Sequence, residues 1–184
     1  ATTKGGAMAQ PTTATVDQHW LSARDRSVMA ILLVSTFVVI LNETALNVAL
    51  TSIMADLAVD ERDVQWLTTA FLLTMAVVIP ITGWLLERIP TRSAFLLALI
   101  LFTTGTLICT VAPVFGLVLA GRIVQASGTA VMLPLLMTTV MQLVPPAHRG
   151  AIMGNISMVI SVAPAIGPTM AGLVLHVTTW RGVF

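Results

Sequence analysis

An arginine in a segment apolar enough to cross a bilayer is the first residue that needs an account. Arg122 lies about two turns into the run Val114–Leu143. A guanidinium inside a spanning helix costs roughly 2.5–3.5 kcal/mol on insertion scales. Chains keep such a group where it faces a protein interior or a wet cavity and has a partner. Gln125 follows at i+3 on the same helical face and can hold the guanidinium or a ligand. Gly128 and Ala130 then let a neighbouring backbone approach closely. The bland alternative is an arginine near the membrane face that snorkels to water.

Glu43 is the second ionisable group at membrane depth. Asn42, Thr44 and Asn47 surround it in sequence, so it has hydrogen-bonding company. A carboxylate there pairs with a cation, lines water, or holds a proton because burial disfavours its charge. A solvated place in the headgroup region is the alternative. A cation and an acid among neutral hydrogen-bonding groups suit a polar transport pathway.

Composition requires that setting. The chain has 184 residues, 57% of them hydrophobic and 9% charged, with a net charge of +1. Its mean hydropathy is +0.95. A water-soluble fold carries about 25% charged residues. Val64–Leu86, Ser93–Gly121, Ile123–Ala147 and Gly150–Trp180 are uncharged runs, histidine aside, and each exceeds the roughly 20 residues that span the hydrocarbon core. The chain reads as an all-α polytopic membrane protein. Its helices are expected at about 28–50, 64–86, 93–112, 114–144 and 151–177, with a sixth beginning near Trp180.

The connections agree. Residues 1–27 lack periodicity and read as a disordered cytoplasmic tail; a start at Ala1 suggests processing or a missing first segment. Val28–Leu41 has the length of a signal-peptide core, but no small-residue cleavage site follows and the apolar pattern runs on. Trp66 and Trp84 lie near opposite ends of the second span, as in aromatic belts, and Pro80 is placed to bend it. Lys4, Arg24, Arg26, Arg88, Arg92 and Arg149 fall on one side, Arg62 and Arg181 on the other. That bias puts the amino terminus in the cytoplasm. In the fifth span Pro164, Gly167, Pro168 and Gly172 mark a helix that packs closely or flexes.

Other chemistries lack their residues. The single cysteine, Cys109, excludes a disulfide framework and a thiolate metal site, and it reads as packing. His19, His148 and His176 are far apart and outside any metal-ligand spacing. No nucleotide loop, membrane-embedded Asp pair or Ser–His pair is present, so an enzyme is not expected. With no tyrosine and only 5% aromatic residues, no stacking platform for bases is expected.

Four motifs in order carry a resemblance. Leu41-Asn-Glu-Thr-Ala-Leu-Asn-Val-Ala-Leu50 is similar to the helix-one motif L-D-x-T-x-x-N-V-A-L of fourteen-helix drug:proton antiporters of the major facilitator superfamily. Gly83-Trp-Leu-Leu-Glu-Arg-Ile-Pro-Thr-Arg92 resembles their cytoplasmic signature G-x-L-a-D-r-x-G-r. Gly121-Arg122-Ile-Val-Gln125-Ala-Ser-Gly128 resembles the helix-four region R-x-x-Q-G-x-G. Ala163-Pro-Ala-Ile-Gly-Pro-Thr-Met-Ala-Gly172 is similar to the helix-five antiporter signature. The resemblance covers residues 28–184, and lincomycin-type multidrug exporters are nearest. It departs at Asn42, where the motif has an acid and Glu43 stands one residue later, about 100° round the helix. Glu87 replaces Asp, Pro90 a glycine, and Ala171 one glycine of a pair.

The resemblance implies proton-driven efflux of hydrophobic or cationic drugs by alternating access, in a plasma-membrane protein whose partners are the drug, protons, lipid and its own remaining helices. It needs no cofactor beyond the proton gradient, and no metal. Arg122, Gln125, Asn42 and Asn47 would line the cavity, with Glu43 as the proton carrier. Gly83, Glu87, Arg88 and Arg92 would latch the cytoplasmic helix ends. Pro164, Gly167, Pro168 and Gly172 would seal helix against helix. Two alternatives are a truncated, transport-inactive fragment, since about 14 spans make a complete member, and a small-nutrient facilitator.

Overall fold

A computed structural model describes residues 22–184. Its elements are α1 (Ala23–Leu57), α2 (Glu61–Val64), α3 (Trp66–Leu86), α4 (Thr91–Val111), α5 (Phe115–Leu143) and α6 (Pro146–Val177), followed by a 3-10 turn at Trp180–Val183. Among the described residues, α1, the α2–α3 unit, α4, α5 and α6 are each long and apolar enough to cross a membrane.

The spans fall where the uncharged runs lie, but two of them overshoot. α1 begins at Ala23, so residues 22–27 belong to the helix edge and not to a tail; residues 1–21 of the expected tail lie outside the described residues. Ser22 caps the helix, its Oγ accepting from the Arg24 amide at 3.1 Å, and Asp25 sits in the first turn. A polar start that satisfies orphan amides extends a helix past its apolar run. At the other end α1 runs to Leu57, because nothing between Thr51 and Leu57 breaks it. α6 likewise starts at Pro146 instead of 151, with proline in the first turn, where its missing N–H is no loss. Pro80, Pro134, Pro164 and Pro168 all lie inside continuous helices.

α1 stops at Ala58, which takes the left-handed conformation (φ 50°, ψ 46°) while its amide reaches Met54 O. Glycine is the usual residue at such a cap, because a Cβ there costs about 1–2 kcal/mol. Ala58→Gly is therefore expected to stabilise the protein by about 1 kcal/mol, read as a raised thermal midpoint.

α5 is the central helix. Of its apolar 18-residue stretch 61% is buried, against 17–22% for those of the other four spans. It packs along α4 and α3 and touches α1, while α6 lies along α1. The α4–α5 crossing is close because small residues face one another. Ala94, Ala98, Gly105 and Cys109 form the buried stripe of α4. A Cβ on Gly121 would stand 2.7 Å from Cys109 Sγ, and one on Gly128 2.6 Å from the Phe102 amide nitrogen. Apolar clusters close both ends of the bundle. Leu32, Ala94, Leu136, Val140 and Ile156 pack at the end where α1 begins. Leu46, Ile53, Leu67, Val118 and Trp180 pack at the other. Trp180 and Arg181 tie that second end to α1, both bonding Asp56 Oδ2 at 2.8 Å.

Candidate functional site

Between the two apolar ends lies a buried polar chain on α5, α1 and α4. Arg122 is 1% exposed and Gln125 is fully buried, so the guanidinium does not snorkel to water. Arg122 Nη1 donates to Gln125 Oε1 at 2.6 Å. The Gln125 amide then donates to Asn42 Oδ1 and to Thr106 Oγ1, both at 2.9 Å. Asn42 Nδ2 donates onward to the Val183 carbonyl at 3.1 Å. The face of the guanidinium lies 4.0 Å from the Phe71 ring centroid on α3, a cation–π contact strengthened by the dry surroundings. Arg122 Nε is buried without a hydrogen-bond partner among the described residues. An arginine held by one neutral amide and one ring keeps unspent hydrogen-bonding capacity for an oxyanion.

Sequence spacing found Arg122, Gln125 and Asn42, and the structure joins them. It leaves two others outside the chain of bonds. Glu43 is half-buried and within electrostatic reach of Arg122, yet the two make no direct ion pair. Asn47 is exposed and takes no part in these bonds among the described residues. The residue at the motif's acid position, Asn42, thus meets Gln125, and the neighbouring acid is turned away by one helical step. Thr106 and Phe71 were missed. Thr106 had a signal, the polar cluster Thr103, Thr104, Thr106 in an apolar span, whereas Phe71 had none.

The expected latch residues occupy the α3–α4 connection. Glu87, Arg88 and Arg92 are exposed, and among the described residues none forms an ion pair. Arg88 instead stacks 4.2 Å over the Trp84 ring, and Gly83 has open space around it. Arg149, not among the expected site residues, closes the end of α5 by donating to Val144 O and Met141 O, each at 2.9 Å. A cation bonding the last carbonyls of a helix also complements its dipole.

In α6 the four motif residues separate. Gly167 is buried against α1, where a Cβ would collide with Thr44 Oγ1 and come within 3.3 Å of Leu41 O. Pro164 and Pro168 are exposed, and Gly172 has nothing within 4 Å of a Cβ position. Within this bundle the contact is made by Ala163, Gly167 and Ala171, one residue every four. Among the described residues, then, only Gly167 of the four expected seal residues meets a neighbouring helix; a helix presents one face to a neighbour, and Pro164, Pro168 and Gly172 lie off this one. Gly167→Ala should destabilise by about 1–3 kcal/mol. Adding Thr44→Ala should recover most of that loss in a thermal-melting double-mutant cycle.

Comparison with known proteins agrees with this architecture. The sequence profile of the Major Facilitator Superfamily matches residues 32–184. The lincomycin resistance protein LmrB of Bacillus subtilis (strain 168) is 45% identical over 157 residues, 85% of this chain and 33% of LmrB. An uncharacterized MFS-type transporter of the same organism, YcnB, is 44% identical, again over 85% of this chain and 33% of its own length. The putative multidrug resistance protein MdtD of Cronobacter sakazakii is 33% identical over 80% of this chain and 31% of MdtD. The chain thus spans about a third of the length of the curated relatives it matches. It belongs to the Major Facilitator Superfamily, a family of membrane transporters, and its five spans fit part of that fold's amino-terminal bundle.

Proposed function

We propose that this chain forms part of a proton-driven exporter of hydrophobic or cationic drugs that works by alternating access. The observation that carries the reading is the buried Arg122–Gln125–Asn42 chain at the centre of the bundle. An intramembrane ionisable group in a transporter is by default part of its pathway. The names of LmrB and MdtD favour drugs as the cargo class.

Glu43 is the proton carrier in this mechanism. Ionised, it attracts a cationic drug; protonated, it no longer does, so proton and drug compete for one negative charge. Arg122 sets how readily that carboxyl gives up its proton, and Gln125 holds the guanidinium in place. The remaining helices of the same transporter would supply the second half of the cavity, as in other two-halved carriers. Glu87, Arg88 and Arg92 would latch the cytoplasmic end against them, with the amino terminus on the cytoplasmic side of the cell membrane. No cofactor beyond the proton gradient is required, and the protein is a carrier and not an enzyme.

Glu43→Gln fixes the neutral form. In the intact gene product that carries this segment, the variant should export drug no better than wild type does after a protonophore collapses the gradient. Gradient-dependent efflux at the wild-type rate would rule out Glu43 as the carrier.

A further inference from the structure

Val64, Leu67 and Phe71 follow one another at the spacing of a single helical face, and each is at most 2% exposed. After Phe71 no side chain of α3 is buried before Thr82. Val64 and Leu67 pack into the apolar cluster that holds Trp180. Phe71 lies one turn further along and meets something else. The guanidinium carbon of Arg122 stands 4.0 Å from its ring centroid.

Two other arginines lie over rings among the described residues, Arg88 over Trp84 and Arg181 over Trp180. Both pairs join near neighbours in sequence, and both arginines are partly open to water. The Arg122 contact differs on each count. It joins α5 to α3, and Arg122 and Phe71 are each 1% exposed, so the contact is complete within these helices. Desolvation turns a marginal cation–π contact into a substantial one. Phenylalanine is also the ring that can be sealed there without polar cost, because tryptophan or tyrosine would bring a group that needs a hydrogen-bond partner.

We propose that Phe71 is a positioning residue for transport, its ring face holding the Arg122 guanidinium where an acid would otherwise be needed. An acid at this place would neutralise the cation. A ring attracts it but carries no charge and no titratable proton, so Arg122 keeps its full field for Glu43 and for the cargo. Gln125 Oε1 fixes one edge of the guanidinium at 2.6 Å, and Phe71 fixes its plane. Two neutral groups thus set the direction of the remaining N–H groups of a rigid fork. The inference rests on the proposed function, in which Arg122 acts on Glu43.

The test replaces Phe71 in the intact gene product, by nonsense suppression, with phenylalanine carrying one, two or three ring fluorines. Fluorine drains the negative face of the ring stepwise and changes its size little, so folding is preserved. Protonophore-sensitive drug efflux should fall with each fluorine, by about tenfold at three. Phe71→Leu, which keeps apolar bulk without a π face, should fall at least as far. The thermal midpoint of the purified protein should also drop with fluorination, but not when Arg122→Met is present as well. Efflux that ignores fluorine in a protonophore-sensitive wild type would overturn the inference, as would a midpoint equally sensitive in the Arg122→Met background; either result leaves Phe71 as packing alone. A wild type whose efflux ignores the protonophore defeats the proposed function instead, and the melting comparison still decides the contact.

Discussion

Arg122→Met is expected to abolish drug efflux by the intact gene product while changing folding stability by no more than about 1–2 kcal/mol. Two terms oppose each other in the fold. Truncation leaves Gln125 Oε1 unpaired in the core, which costs about 1–3 kcal/mol. Methionine also removes a desolvated cation whose burial is itself expensive, and apolar replacements of buried charges are often neutral or stabilising by about 1–4 kcal/mol. These terms nearly cancel, so the phenotype falls on transport. Arg122→Lys should also fail, because an ammonium cannot both stack flat on Phe71 and keep the fork geometry toward Gln125. Drug accumulation in energised cells, read beside thermal melting of purified protein, separates function from folding. A melting midpoint that collapses together with efflux would make Arg122 a structural residue.

Gly105→Leu should act in the opposite way, by destroying the fold. Any Cβ at Gly105 collides with the Gln125 amide nitrogen and lies 2.6 Å from Gly121 O and 2.7 Å from Gln125 Cα. All three are backbone atoms of α5, so no side chain can rotate aside and the two helices must separate. Overpacking a core costs about 1–3 kcal/mol when side chains can adjust, and more is expected where they cannot. The separation would also pull Thr106, the next residue, from Gln125. The expected result is little folded protein after solubilisation, measured by size-exclusion chromatography. Gly116→Ala supplies the contrast: a Cβ there meets nothing within 4 Å, and alanine favours helix by about 1 kcal/mol. Equal behaviour of the two variants would refute the close α4–α5 crossing.

The spans were legible because hydrocarbon excludes charge. The expected helices at 93–112 and 114–144 differ from α4 and α5 by at most two residues at any end. Helix ends outside hydrocarbon follow capping and backbone hydrogen bonding instead of hydropathy. That is why Ser22 and Pro146 extend α1 and α6 beyond their apolar runs. Local spacing also revealed the Arg122–Gln125 pair, three residues apart. It could not reveal that Gln125 meets Asn42, 83 residues away, or that Arg181 meets Asp56 across 125. The α6 motif shows the same limit. Pro164, Gly167, Pro168 and Gly172 look alike as small or helix-bending residues, and only packing against Thr44 singles out Gly167.

Proton movement caused by drug is the most direct test of the coupling centred on Arg122 and Glu43. Inside-out vesicles carrying the intact gene product would be acidified, and drug then added while lumenal pH is followed by a quenched acridine dye. The account predicts that drug drains the gradient in wild type, and that neither Glu43→Gln nor Arg122→Met responds. A gradient that wild type leaves untouched while drug is still transported, or one that both variants drain at the wild-type rate, would contradict it.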